Sequence, residues 1–289
     1  MRLPENTVQR IVRRVRRLIP PRSFNSIRSR CGGTGIEIGG PSAVFRRWNL
    51  WPIYPVVRSL DGYNFAKRTL WSEPNNRSAS FYAHELVGEA SEMPDVADGT
   101  YDFLLASHVL EHMANPLKAL QTWKRVVRPD AIILLVVPHR DATFDHRRPI
   151  TTLEHLIRDF DENVSEADST HLQEIIELHD LRLDPGAGTR EAFVTRARSN
   201  EANRSLHHHV FNTELVLRLV DCAGLQIEYV DLERPYHICV ACTTGMTSAS
   251  RPSDPSVPLN RRYLDASAAW RRSRVFPSDL HSGEGSKLP

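Results

Sequence analysis

The chain has 289 residues, 40% hydrophobic and 25% charged, which is enough apolar side chain for one large domain or two small ones with a sizeable core. No apolar run reaches the roughly 18 residues of a membrane-spanning helix, and the N-terminus lacks the apolar stretch of a secretory leader. An integral helical membrane protein is thereby excluded, and a cytoplasmic chain is expected. The formal net charge of +2 hides an asymmetry: residues 1–30 hold nine arginines and one acid, Glu5, whereas the remainder holds 28 basic and 34 acidic side chains.

The first predicted element is a basic amphipathic helix over 7–19. Val8, Ile11, Val12, Val15, Leu18 and Ile19 recur at helical spacing among arginines, and Pro20-Pro21 stops it. Short apolar runs follow at 35–38, 55–60, 83–87, 101–106, 131–137, 225–232 and 236–242. Several are continuous, as expected of strands buried on both faces of a parallel sheet. Between them lie helical patterns with readable caps. Asn115 and Pro116 open one that carries Leu117, Leu120, Trp123, Val126 and Val127 and ends before Pro129. Thr151-x-x-Glu154 is a capping box for a helix over 153–160. Thr213 caps a helix that Gly224 stops. Alternating strands and helices predict a doubly wound α/β fold, with ligands bound where the strands end.

Four cysteines are too few for a disulfide scaffold. Cys239 and Cys242 fall inside an apolar run and lack two further ligands at zinc-site spacing, so they are expected to be buried strand residues, like Cys31 and Cys222 in a reducing compartment. From about Met246 the chain turns Ser-, Pro- and Arg-rich and is expected to be largely disordered, with a short helix around 264–272. The predicted organisation is a basic helix and linker at 1–31, one domain at 32–246 and a loose tail at 247–289.

The first strand ends Glu37-Ile38-Gly39-Gly40-Pro41-Ser42. An acid followed by glycines at that place is a candidate cofactor turn, because glycine lets the backbone approach a ligand closely. A plain tight turn has the same composition. About twenty residues on, a second run ends at Asp61, an acid able to accept hydrogen bonds from ribose hydroxyls. A third leads to Gly88-Glu89-Ala90, with an acid placed to read an adenine amino group. Then comes Tyr101-Asp102-Phe103-Leu104-Leu105-Ala106-Ser107-His108-Val109-Leu110-Glu111-His112, followed by Asn115-Pro116-Leu117.

That fourth-strand block resembles the class I S-adenosylmethionine-dependent methyltransferases, of the type 11-like group. Trp123-Lys124-Arg125-Val126-Val127-Arg128-Pro129 resembles the same family's helix end before the fifth strand. The similarity covers about 35–138 and extends loosely to Cys242. It implies a Rossmann-like seven-stranded, mostly parallel sheet with helices on both faces and an antiparallel last strand. It implies S-adenosylmethionine as cofactor, with Glu37, Gly39 and Gly40 at the methionine end, Asp61 at the ribose, Glu89 and Ala90 at the adenine, and His108 at the same edge. Pro41-Ser42 departs from the family's further glycine, and Asp130-Ala131 stands where it usually has a Gly-Gly turn. A dehydrogenase would share the early turn without the fourth-strand block.

Methyl transfer to a hydroxyl needs a base with a pKa near neutrality, and histidine is the natural one. The chain has 13 histidines. His139 and His146 stand in a polar loop directly after the fifth strand. That loop, 138–149, resembles the substrate loop of polysaccharide-associated methyltransferases. His208 lies in His207-His208-His209, a segment able to fold over the site. His139, His146 and His208 are the catalytic candidates. Glu111 and His112 fit a structural hydrogen-bond pair. Mixed N/O metal coordination by His139, Asp141, Asp145, His146 and the histidines at 207–209 is conceivable, but the spacing has no fixed metal signature and no metal ligands are assigned. The expected function is O-methylation of a hydroxylated small molecule or glycan. No nucleic-acid partner is expected, because the body is acidic. The basic helix either packs on the domain or lies on an anionic membrane surface. The alternative is a non-catalytic adaptor that docks through that helix, favoured if Pro41 or the loop bearing Trp48 and Trp51 fills the cofactor pocket.

Overall fold

A computed structural model of the protein describes residues 22–70, 81–245, 258–265 and 275–281. The basic helix expected over 7–19 lies outside the described residues. Among the described residues, seven strands form one sheet: β1 (Thr34–Ile38), β2 (Ser59–Asn64), β3 (Glu85–Val87), β4 (Tyr101–Ser107), β5 (Val127–Pro138), β6 (Gln226–Glu233) and β7 (His237–Thr243). Their order is β3-β2-β1-β4-β5-β7-β6. The pairs from β3 to β5 are parallel, and β7 runs antiparallel to both of its neighbours. This is the expected Rossmann-like architecture. The reversal of chain order at β1 and β4 opens a crevice at their carboxyl ends, where such sheets bind ligands.

β5 shows why the sheet is buried on both sides. Its side chains alternate between faces. Ile133, Leu135 and Val137 join Leu117, Leu120, Trp123, Val216, Leu219 and Val220 in one core. Ile132, Leu134 and Val136 join Phe24, Ile27, Trp51 and Ile53 in the other. The first core is roofed by α2 (Pro116–Val126) and α7 (Thr213–Cys222), the second by α1 (Arg22–Ser29).

The caps differ in detail from the predicted ones. Asn115 does accept the Lys118 amide. The helix α3 (Leu153–Asp161) is capped by Thr152, which accepts from His155, while the Thr151 hydroxyl oxygen accepts the Val210 amide. Asn212, rather than Thr213, caps α7. Thr213 instead donates its hydroxyl to Asp279, 2.6 Å away. Capping needs only a side-chain acceptor before the first turn, and adjacent polar residues compete for it. Asp130 adopts the left-handed backbone its turn requires (φ 61°), a conformation that Asp tolerates better than most residues.

Residues 151–209 form a helical cap between β5 and α7. It comprises α3, α4 (Leu172–Leu178), α5 (Arg190–Arg198) and α6 (Asn200–Asn203), with its own small core of Ile175, Ala187, Phe193, Ala197 and Leu206. Two described pieces of the tail return to the body, as α8 (Arg261–Leu264) and α9 (Ser278–His281). Asn260, Phe276 and Asp279 are buried there. No helix among the described residues is long and apolar enough to cross a membrane.

Candidate active site

The turn after β1 is shaped by what surrounds it. Gly39 takes a left-handed φ of 73°, and a Cβ there would lie 2.6 Å from a Val109 methyl. A Cβ on Gly40 would lie 2.2 Å from the Glu37 carboxyl carbon and 2.3 Å from the Tyr82 hydroxyl. Both positions therefore exclude a side chain. Glu37 is fully buried behind the turn. Its carboxylate accepts the Ser42 amide and the hydroxyls of Tyr54 and Tyr82, all at 2.8–2.9 Å. Burial outweighs these donors and pushes its pKa up to about 7.

A cavity of about 700 Å³ runs from this turn into the cap. That is ample for a nucleoside-sized ligand together with a small acceptor. Gly39, Pro41, Asn64, Glu89, Ala90 and His108 line one half; Glu111, His112, Glu166, Asp184, Arg204 and His207 line the other. Trp48 is exposed and Trp51 packs in the far core, and neither lines the cavity. The Trp-rich loop therefore leaves the cofactor half open.

Several expected site residues come together here: Gly39, Glu89, Ala90 and His108 all line the cavity. Glu89 also pairs with Arg204 of the cap at 3.1 Å. His108 has a positive φ of 55°, which turns its ring across the crevice so that Nε2 lies 3.0 Å from His237 Nδ1. Glu37 and Gly40 support the turn from behind without lining the cavity.

Asp61 sits elsewhere. It lies three residues before the end of β2, takes the Tyr101 hydroxyl at 2.9 Å and contacts His84 at 2.9 Å. Strand β2 runs on past the apolar run, and it is Asn64, at its end, that lines the cavity.

None of the three catalytic candidates lines the cavity. His139 is completely buried, stacked on Phe276 at 4.0 Å, with Nε2 3.2 Å from Asp279 and Nδ1 accepting the Asp141 amide. His146 contacts Asp180 at 3.0 Å. His208 is buried with Nε2 3.0 Å from the Asn200 amide nitrogen. Each ring is engaged in joining loop to scaffold rather than facing the cavity.

Three histidines line the cavity, His108, His112 and His207, and His207 is the one that comes from the triple-histidine segment. Its Nδ1 lies 2.5 Å from Asp145, and its Nε2 lies 4.0 Å from Glu111. Burial opposes protonation of His207, but the charge and hydrogen bond of Asp145 outweigh it and raise its pKa. Arg148, almost fully buried, fixes the segment by donating to the carbonyls of His207 and His208 and to Asp145. Glu111 is buried, with neither carboxylate oxygen hydrogen-bonded. It lies 3.5 Å from His108 and 4.0 Å from His112. Glu111, His112 and His207 offer ligand atoms within 4.8 Å of one another, so this group is also able to hold a cation. Sequence reasoning missed Asn64, Glu166, Arg204 and the special place of His207. The only signal for the last was the triple histidine, which does not say which ring turns inward.

A methyltransferase-domain family matches residues 9–185, more than half of the chain. The chain belongs to this methyltransferase-domain family. Its members take the methyl group from S-adenosylmethionine, which makes the protein an S-adenosylmethionine-dependent methyltransferase. The match spans β1 to β5 and much of the cap. Similar solved structures include two methyltransferases of low identity. A methyltransferase from Aquifex aeolicus is 14% identical over 82% of this chain and 96% of its own, with a TM-score of 0.43. One from Mesorhizobium loti is 12% identical over 78% of this chain and 99% of its own, with a TM-score of 0.44. No curated protein sequence matches. The residues present fit the cofactor: the turn at Gly39 excludes side chains, and Asn64, Glu89 and Ala90 follow it around the same cavity.

Proposed function

We propose that this methyltransferase acts in the cytoplasm on a hydroxyl oxygen of a small molecule or glycan, with His207 as general base. The observation that carries the reading is the His207–Asp145 contact of 2.5 Å, on a ring that lines the same cavity as the glycine turn. S-adenosylmethionine, held by Gly39, Asn64, Glu89 and Ala90, would supply an electrophilic methyl group. Asp145 accepts the Nδ1 proton and so leaves the lone pair of neutral His207 on Nε2, able to take the acceptor's hydroxyl proton. Glu111, Glu166, Asp184, Arg196 and Arg204 make the acceptor half dense in charged hydrogen-bonding groups. Such a lining suits a polyhydroxylated acceptor better than an apolar one. Closure by the cap excludes water and holds the acceptor in register.

A filled cofactor pocket would favour the adaptor alternative, and the cavity beside the glycine turn gives it no such support. Peripheral contact of residues 7–19 with an anionic membrane remains part of the proposal for a lipid-linked acceptor, motivated by their arginines and apolar stripe. Conversion of S-adenosylmethionine to S-adenosylhomocysteine against a panel of sugar nucleotides, lipid-linked glycans and small phenols tests the reading. Turnover with a hydroxyl acceptor, lost in His207→Gln, is the expected result. Turnover only with amine or carbon acceptors would overturn the assignment to oxygen.

A further inference from the structure

The cap holds a second group of histidines that the reaction does not use. His155 lies on α3, His171 stands at the start of α4, and His209 belongs to the segment before α7. One ring nitrogen from each lies within 4.8 Å of the other two. Nε2 of His155 is 3.0 Å from Nε2 of His171. Asp159, one turn after His155, brings a carboxylate beside the group. Its Oδ2 is 3.4 Å from His155 Nε2 and 3.6 Å from His209 Nε2. None of the four lines the active-site cavity.

Two of these separations, 3.0 Å between His155 and His171 and 3.4 Å between His155 and Asp159, match a known shape. Ligand atoms about 2.0–2.1 Å from a tetrahedral zinc lie about 3.3–3.4 Å from one another. The hydrogen-bond accounting points the same way. Asp159 Oδ2 and His209 Nδ1 are both buried with no hydrogen-bond partner, and buried polar atoms are normally satisfied. Two imidazole nitrogens 3.0 Å apart share at most one proton, which leaves the carboxylate oxygen beside them uncompensated. The outer contacts are those that orient metal ligands. His209 Nε2 lies 3.1 Å from the Ala114 carbonyl oxygen, and a proton held in that contact leaves the ring's lone pair on Nδ1. The Asp159 carbonyl oxygen accepts from Asn115 at 2.8 Å.

We propose that His155, His171 and His209, with Asp159 beside them, form a structural zinc site that ties the parts of the helical cap to one another. Three imidazoles and one carboxylate are a donor set that suits zinc. The group lies outside the active-site cavity, so the ion takes no part in methyl transfer. Its three histidines are separated in sequence and meet only in the folded cap. The ion would therefore order the roof of the acceptor half of the cavity.

The test uses the full chain loaded with zinc alone and desalted, followed by elemental analysis. About one zinc per chain is expected in the native protein and in His207→Gln, and less than a tenth of that in His155→Asn/His171→Asn. The two replaced rings are partly exposed, and circular dichroism confirms that the variant is folded. X-ray absorption of the native zinc protein should show nitrogen and oxygen ligands without sulfur. Chelation should lower the Tm of the native protein and leave that of the double variant unchanged. Absence of zinc from native protein, its retention in the double variant, its loss from His207→Gln instead, or sulfur ligation would each overturn the proposal. None of these readouts depends on methyl-transfer activity.

Discussion

Asp145 holds the imidazole of His207 from behind, one carboxylate oxygen 2.5 Å from Nδ1 and the other 3.0 Å from the Arg148 guanidinium. The pair joins the loop after β5 to the end of the cap, and it lies at the acceptor half of the cavity. If it is the proton acceptor, His207→Gln should lower kcat by roughly 10²–10⁴-fold while S-adenosylmethionine affinity stays within about threefold. Asp145→Asn should lose less, because the amide oxygen still accepts the Nδ1 proton. Initial rates and calorimetry on the same preparations check both halves, and full turnover in His207→Gln would remove it from the mechanism.

Arg148 is the buried fastener of this arrangement. Besides Asp145 it reaches the carbonyl oxygens of His207 at 2.7 Å and His208 at 3.0 Å, and Glu174 at 2.8 Å. Arg148→Met leaves a buried carboxylate and two carbonyls without their donor and should cost about 3–5 kcal/mol. Arg148→Lys should not rescue it, because one ammonium cannot serve a planar fork's separate directions. Urea unfolding gives the comparison; a loss under about 1 kcal/mol for Arg148→Met would contradict this role.

Glu37 makes stability depend on pH. Its carboxyl is raised from 4.5 to about 7 in the folded chain, so the folded state holds a proton that the unfolded chain has released. The stabilising contribution is present below pH about 4.5 and is lost as pH rises to about 7, amounting to roughly 3 kcal/mol over the window. Glu37→Gln should flatten that part of the profile. Denaturant titrations at pH 5 and pH 7.5 measure it, and an unchanged slope in the variant would show that Glu37 is ionised throughout.

Much of this fold is legible in the sequence, and the reason is local. Runs such as Leu134-Leu135-Val136-Val137 have no solvent-facing side to confuse them, and Asn115-Pro116 marks a helix start by backbone chemistry alone. The cofactor turn was legible for the same reason: Gly39 and Gly40 stand where no side chain fits. The apolar run stops at Asp61 while β2 continues through Gly62 and Tyr63 to Asn64, so it is Asn64 and not Asp61 that lines the cavity. His207 was not singled out because proximity in sequence to the ligand edge does not set ring direction. His139 follows β5 directly, yet it turns into the core against Phe276 and Asp279, which come from a tail expected to be loose. The three consecutive histidines diverge, His207 to Asp145, His208 to Asn200 and His209 to Ala114. Only the packed cap decides among them.

The turn at Gly39 also has a stability consequence. With φ at 73° and Val109 against it, Gly39→Ala should destabilise the fold by about 1–2 kcal/mol from backbone strain alone. Thermal unfolding of the unliganded variant reads this directly, and an unchanged Tm would contradict the strain.

The central claim is that one cavity holds the cofactor at the glycine turn and the acceptor under the cap, with His207 at the acceptor half. Calorimetric titration of S-adenosylmethionine into the native protein, Gly39→Arg and His207→Gln tests it most directly. The account predicts saturable one-to-one binding in the native protein, binding within about threefold in His207→Gln, and at least a hundredfold loss in folded Gly39→Arg, whose side chain would occupy the cofactor half. Absence of binding to folded native protein, or unchanged affinity in Gly39→Arg, would contradict it.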